Sequence, residues 1–348
     1  LSDIPATDDE IDPHSAGWRG AFRRWLHAGL RLGGVALLVV TFLPLLHPYW
    51  ALAGVAEHFA LQVLMAAIAL GLLALALRRW RWLGLVAGIA CIELWTIHPY
   101  WPAFLAGPKS ALAGQLAGQQ ADLKVISLNV WHKSDSYGAV RDYIAASNAD
   151  IVGLVEVTPR WKAELAPLRS LYPYSIDCQD RNPRCEEMLL SKHPFVKSFS
   201  GHINKALPVI AWAQIAAPGD GTPLTFAVAH LSWPVIRADL GERGETAQAK
   251  QARNLVHALQ KLGPNLLLMG DFNAAPWSRV QQDLRQVTGL DNAGFLVPSW
   301  PAWGPAPLRL PIDHIMTRGR LHLAALNPGP NVGSDHLPVE AIIGYAQP

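Results

Sequence analysis

The feature that most limits what this chain can become is a block of apolar sequence. Three long runs crowd into residues 32–97: Leu32–Trp50, Phe59–Leu77 and Trp82–Ile97. A helix needs about 20 residues to cross the hydrocarbon of a bilayer. The second run meets that length, and the first does so despite Pro44. The third is shorter and carries Glu93, so its aromatic flanks are expected to reach the interfaces. Trp50, Trp80, Trp82, Trp95, Tyr100 and Trp101 fall where an interfacial aromatic belt would. A cleaved signal peptide would account for the first run alone, and a soluble bundle needs no face as uniform as Met65–Leu77. The expectation is a bundle of three transmembrane helices over residues 31–100. Glu93 is expected to hydrogen-bond inside the bundle or to lie near the interface.

The charges flanking these runs give the bundle a direction. Arg23, Arg24 and Arg31 precede the first run, and Arg78, Arg79 and Arg81 separate the second from the third. The stretch His47–His58 has no lysine or arginine. The positive-inside bias then puts residues 1–30, read as a disordered tail rich in Asp and Glu at its start, in the cytoplasm. Three crossings of a bacterial inner membrane place everything after Tyr100 on the periplasmic side. Two cysteines, Cys178 and Cys185, share the polar loop CQDRNPRC. A disulfide between them fits an oxidising compartment; a metal pair or two free thiols are the other readings. The net charge of +2 provides no large basic field that would require a nucleic-acid partner.

Residues 101–121, with Pro102 and Pro108, read as a linker, and 122–348 as a separate domain. Short β-rich runs recur there: VISLNV (125–130), IVGLVEV (151–157), EMLLSKH (187–193), PVIAWAQIA (208–216), LTFAVAHL (224–231), NLLLMGDFN (265–273), PIDHIMT (311–317) and PVEAIIGYA (338–346). Segments 137–147 and 245–262 have helical periodicity, the latter with Ala249, Ala252, Leu255, Val256 and Leu259 on one side. Strands interleaved with helices indicate a layered α/β domain. Asn129, Glu156, His230, Asp271, Asn273 and Asp313 fall at or beyond ends of strand-like runs, and Asp335 and His336 immediately precede the last one. Any one of them alone would be an ordinary cap or turn residue. Eight drawn from metal-ligand and acid/base types, at ends that can converge, point to one cleft. Their dispersal argues against a zinc finger or an EF-hand.

The strings SLNV, GLVEV, AHLSW, GDFNAAPWS, PIDHI and GSDHLPV together resemble the endonuclease/exonuclease/phosphatase superfamily, which includes deoxyribonuclease I, abasic-site endonucleases, neutral sphingomyelinases and inositol polyphosphate 5-phosphatases. The resemblance covers essentially all of 122–348. It implies a four-layered α/β sandwich and a divalent metal, Mg²⁺ or Mn²⁺, on Glu156 with Asn129 beside it and Asp335 adding a contact. It further implies that Asp271 orients or deprotonates the attacking water and that Asn273 binds a phosphate oxygen. His336, held by Asp313, would lie near the scissile phosphate, with His230 as the second active-site histidine. Trp131 stands where abasic-site endonucleases carry an Asp, which tilts the reading away from DNA repair.

Substrate class is less constrained. His132, Lys133, Arg160, Lys162, Arg184, His202, Asn204 and Lys205 are candidates for holding phosphate. Trp161, Trp233, Trp277, Trp300 and Trp303 are candidates for stacking on bases or dipping into lipid. Trp300 and Trp303 could equally cover a sheet edge. The expected reaction is hydrolysis of a phosphodiester in nucleic acid, or of a phospholipid or small phosphate ester beside the bilayer. A membrane scaffold that keeps the fold without catalysis is the third reading. No obligate protein partner is expected.

Overall fold

A computed structural model describes residues 13–46, 51–102, 123–177, 186–203, 206–217, 220–234 and 246–345. Cys178, Cys185, Arg184, Asn204 and Lys205 lie outside the described residues, as does most of the expected linker. The chain divides into two compact units, Leu1–Leu43 with Ala60–Trp95, and Pro44–Phe59 with Thr96–Pro348.

The first unit contains helices α1 (Pro13–Phe42), α2 (Ala60–Ala76) and α3 (Trp80–Ile97). Three segments, Gly20–Leu46, Ala53–Ala76 and Trp80–Tyr100, are long and apolar enough to cross a membrane. One boundary differs from the sequence expectation: residues 13–30 are helical rather than a disordered tail. Pro13 opens that helix, a position where its missing N–H costs nothing. Trp18, Phe22 and Trp25 interleave with the arginines there. Val63, Ala67 and Ile89 form the packed centre of the three helices. Glu93 is buried and accepts a 2.9 Å hydrogen bond from Thr41 Oγ1, the bundle-interior pairing expected of it.

In the second unit two sheets stack face to face. One has the order β10-β11-β1-β2-β4-β3 and the other β5-β6-β7-β8-β9. The strands are β1 (Leu123–Asn129), β2 (Ile151–Val155), β3 (Tyr174–Asp177), β4 (Met188–Ser191), β5 (Lys197–Ile203) and β6 (Ala206–Ala216). They continue with β7 (Pro223–Ala229), β8 (Leu266–Asp271), β9 (Asp313–Arg318), β10 (Leu321–Pro328) and β11 (Val339–Tyr345). Alternation along each strand divides the core into three. Val125, Ile151, Phe226, Val228, Leu267, Met269 and Ile315 fill the space between the sheets. Their neighbours Ile126, Leu128, Val152 and Leu154 face outward, where Val140 and Ile144 of α4 (Tyr137–Ser147) and Trp161 of α5 (Pro159–Glu164) cover them. Ala227, Leu266 and Leu268 face the opposite side, under Leu255 and Leu259 of α6 (Ala247–Leu259) and Leu284 of α7 (Arg279–Thr288). Helix, sheet, sheet and helix make the four layers expected.

Candidate functional site

Strand direction brings the polar residues to one edge of this sandwich. β1 and β2 run parallel, as do β7 and β8, so Asn129, Glu156, His230 and Asp271 leave their sheets at C-terminal ends. β9 is antiparallel to β8 with Asp271 opposite Asp313, and β11 is antiparallel to β1. Asp313 is therefore the first residue of its strand rather than the last, and His336 sits just before β11. Both reach the same edge by running the other way.

Parity then decides where the side chains point. Asn129 continues the inward series of Leu123 and Val125, His230 that of Phe226 and Val228, Asp271 that of Leu267 and Met269, and Asp313 shares its face with Ile315. Where the apolar packing between the sheets ends, the same face presents polar groups. Glu156 breaks the rule: it follows Val152 and Leu154 on the outward face. Its backbone turns left-handed at φ 63°, which brings the carboxylate to Asn129, and Val157 takes the next outward place instead. A non-glycine residue in that conformation carries strain that the surrounding contacts must hold.

The contacts form a connected network. Asn129 Nδ2 donates to Glu156 Oε1 at 2.9 Å and to Asp271 Oδ2 at 3.1 Å, while Asn129 Oδ1 accepts from the Trp131 N–H at 2.8 Å. Glu156 Oε2 lies 2.9 Å from the His132 N–H and 2.6 Å from its Nδ1. His336 Nδ1 pairs with Asp313 Oδ2 at 2.7 Å. That bond turns His336 Nε2 toward Asp271 Oδ2 at 3.6 Å, and His230 Nε2 stands 3.6 Å from the same oxygen. Asn273, at φ 48°, donates its backbone N–H to Asp271 Oδ1 at 2.8 Å and its Nδ2 to the Leu231 carbonyl at 2.8 Å. Asp335 lies at the rim, with Oδ1 3.9 Å from His336 Nε2 and Oδ2 3.4 Å from the indole nitrogen of Trp300.

The electrostatics separate these groups by role. Burial opposes ionisation of Glu156, but His230 and the hydrogen bonds from His132 and Asn129 outweigh it and hold the carboxylate at about 2. Burial also works against charge on His336, yet Asp313, Asp271 and Asp335 push its pKa up to about 10. Asp271 is raised to about 6 by burial and then by Asp313, with His336 and His230 pulling the other way. Asp271, Asp313 and His336 place ligand-type atoms within 4.8 Å of one another. The hydrogen bond inside that trio accounts for part of its closeness.

All eight residues expected at the site meet within it or at its rim. The substrate candidates scatter. Trp161 is fully buried under β1 and β2, a core residue whose indole nitrogen donates to the Trp131 carbonyl. Trp277 is also buried, Lys162 pairs with Asp177 at 3.0 Å, and Arg160 stacks on the ring of Tyr137. Trp233 and Trp300 meet edge to face beside Asp335, and Trp303 is 81% exposed. Two residues adjoin the site in roles the sequence does not indicate. His132, expected to hold phosphate, instead secures Glu156. Glu187 is buried and raised to about 7 by burial, with His230 near enough to oppose the rise. An acid immediately before the apolar run Met188–Ser191 was the available signal for it.

A family model described as "Endonuclease/Exonuclease/phosphatase family" matches residues 126–336, more than half of the chain. No curated protein matches the sequence. Among solved structures, an endonuclease/exonuclease/phosphatase from Bacteroides vulgatus is similar at 16% identity and a TM-score of 0.51, covering 65% of this chain and 100% of its own. The human Nocturnin catalytic domain with bound sulfate shares 18% identity at a TM-score of 0.53, covering 65% and 95%. D. rerio TDP2 complexed with a single-strand DNA product shares 15% identity at a TM-score of 0.50, covering 64% and 99%. These likenesses bear on the fold. The matched segment begins in β1 and ends at His336, so it takes in every polar group of the cleft: the chain belongs to the Endonuclease/Exonuclease/phosphatase family, whose members hydrolyse phosphoester bonds.

Proposed function

We propose that this protein is a membrane-anchored, divalent-metal-dependent phosphodiesterase whose catalytic domain faces the periplasm. The observation that carries the reading is the convergence of His336 and His230 on one oxygen of Asp271, with Asn129 and Glu156 in hydrogen-bonded contact beside it. A phosphodiester needs a water made nucleophilic, donors for the charge developing on phosphorus oxygens, and a proton for the departing oxygen.

The residues suit a hard cation. Glu156 is held ionised, and Asn273 Oδ1, Asp313 Oδ1 and Asp335 Oδ1 are buried acceptors that find no hydrogen-bond donor among the described residues. Glu156, Asn129 and Asp335 would hold Mg²⁺ or Mn²⁺, and the ion, when bound, supplies charge stabilisation to the phosphate. The remaining steps belong to the side chains. Asp271 orients the water and accepts its proton. Asn273 Nδ2 donates to a phosphate oxygen. His336, kept protonated by Asp313, faces the reacting centre with Nε2 and stabilises charge or protonates the leaving oxygen. His230 is the second imidazole directed at the phosphate.

Nucleic acid is the substrate class we favour, by analogy with the TDP2 structure that holds a DNA product. The aromatic rim of Trp233, Trp300 and exposed Trp303 favours a second reading, hydrolysis of a phospholipid beside the bilayer. Assays with Mg²⁺ on plasmid DNA and on detergent-dispersed phospholipid separate the two, with Glu156→Ala and His336→Ala as controls. DNA cleavage no greater than that of the variants would sink the nuclease reading. Full activity of both variants on every substrate would sink the site itself.

A further inference from the structure

The loop that carries Asn273 is held by more than the two sheets and their helices. Gln248 Nε2 donates to the carbonyls of Phe272 at 3.0 Å and Asn273 at 2.8 Å, and His314 Nε2 donates to that of Ala274 at 2.7 Å. The Ala275 and Trp277 carbonyls accept locally, from the Ser278 N–H at 2.9 Å and Gln282 Nε2 at 2.7 Å, but three other groups of 275–277 find partners in the segments that adjoin the apolar helices. The Ala275 N–H donates to Nδ1 of His58 at 3.1 Å. The Tyr100 hydroxyl donates to the Pro276 carbonyl at 3.2 Å, and the Trp277 indole N–H donates to the Glu57 carbonyl at 2.8 Å. His58, Tyr100, Ala275 and Trp277 are all buried, and the rings of Tyr100 and Trp277 meet edge to face at 6.1 Å. Arg285 reaches from α7 to the Tyr100 hydroxyl and to Asp291. Residues Pro44–Phe59 accordingly belong to the same compact unit as the sheets.

We propose that His58 is a positioning residue for the active site. By accepting the Ala275 N–H it fixes the turn that starts two residues earlier at Asn273, whose left-handed backbone aims its amide into the cleft. Tyr100 and the Glu57 carbonyl complete the clasp. The functional unit is therefore not residues 122–348 alone. A domain begun at residue 122 would deprive the Ala275 N–H, the Pro276 carbonyl and the Trp277 indole N–H of these partners, all within four residues of Asn273. The role in turnover rests on the phosphodiesterase reading above; the hold on the loop does not.

The test uses the full chain in detergent, with bis(4-nitrophenyl) phosphate and Mg²⁺ as substrate and metal. His58→Leu removes the acceptor while keeping an apolar filling. His58→Asn restores an oxygen acceptor at the position of Nδ1. The expected result is that His58→Leu lowers kcat by about tenfold or more, as small misplacements of reacting groups do. It should leave KM near the wild-type value and speed amide hydrogen exchange across 273–278. His58→Asn should recover both rate and protection. Wild-type kcat and exchange in His58→Leu would overturn the proposal, as would a His58→Asn protein as impaired as the leucine variant. Should His58→Leu not fold, Tyr100→Phe, which removes one hydroxyl, carries the same expectation and the same power to refute. A wild-type rate no higher than that of Glu156→Ala would sink the phosphodiesterase reading instead, and hydrogen exchange at 273–278 would then decide the role of His58 alone.

Discussion

Asp313 and His314 are neighbours with separate tasks, and each task has its own measurable consequence. Asp313 holds the proton on His336, so Asp313→Asn removes the largest influence that raises that pKa and leaves Asp271 and Asp335 alone to oppose burial. The imidazole then gives up its proton at lower pH than in the parent. We expect kcat to fall by about 10²–10⁴-fold with KM little changed, and the alkaline limb of the rate profile to move to lower pH. A variant with wild-type rates from pH 6 to 9 would refute the pairing. His314 faces the other way: burial pulls it down to about 4, so it stays neutral and donates to the Ala274 carbonyl. The sign follows from linkage. Between the ordinary histidine value of about 6.5 and about 4, the unfolded chain binds a proton that the folded chain refuses, so stability falls as pH falls through that window. For one fully buried group the loss is of order 3 kcal/mol. His314→Gln retains an N–H donor and does not titrate, so its urea-unfolding free energy should drop less between pH 6.5 and 4 than that of the parent. An equal drop would locate the acid sensitivity elsewhere.

At the scale of strands, the sandwich depends on how closely its sheets approach. A Cβ on Gly153, in the middle of β2, would lie 2.6 Å from both Met269 Sδ and Val228 Cγ2 of the facing sheet. Gly153→Ala should therefore destabilise by about 1–3 kcal/mol, read from urea unfolding, because neighbours must leave their rotamers. Unchanged stability would mean that the facing side chains yield freely. Much of this architecture was legible in the sequence, because alternation marks a strand and its ends. Asn129, His230 and Asp271 each extend an inward apolar series, and α4 and α6 declare themselves by period. Strands β3, β5 and β10 went unread: Tyr174–Asp177 is only four residues long and exposed at its start, Lys197–Ile203 is polar along much of its exposed edge, and Leu321–Pro328 carries a register shift between Leu323 and Ala325. Only its motif marks Glu156 as a site residue, since alternation points it outward and a left-handed turn is needed to bring it back. His58 was beyond sequence reasoning for a different cause. Its partner is 217 positions away, and nothing local marks a histidine at the edge of an apolar run as a loop anchor.

For the whole molecule, the clasp around Ala275 adds a constraint that composition alone does not provide. Pro44–Phe59 and Thr96–Pro348 form one unit, so the connection between the first two apolar helices and everything after the third must share one side of any membrane these helices cross. That would make α2 and α3 a pair of crossings, and the odd total read from hydropathy then rests on the length and apolarity of Gly20–Leu46. Charge then selects the side. Arg23, Arg24 and Arg31, with Arg78, Arg79 and Arg81, flank the opposite ends of the helices, and cytoplasmic flanks carry such residues in excess. The expected outcome is that protease added to intact spheroplasts degrades the sandwich domain, and that disrupting the membrane exposes no further fraction of it. Protection of the domain until lysis would reverse the orientation while leaving the shared side intact. Moving the arginines tests the cause: replacing Arg78, Arg79 and Arg81 by glutamine, with three arginines introduced in the connection before Ala51, should shift a measurable share of the chains to the protected form. If the distribution stays unchanged, something other than the arginine bias sets the topology, and the docked domain itself becomes the stronger determinant.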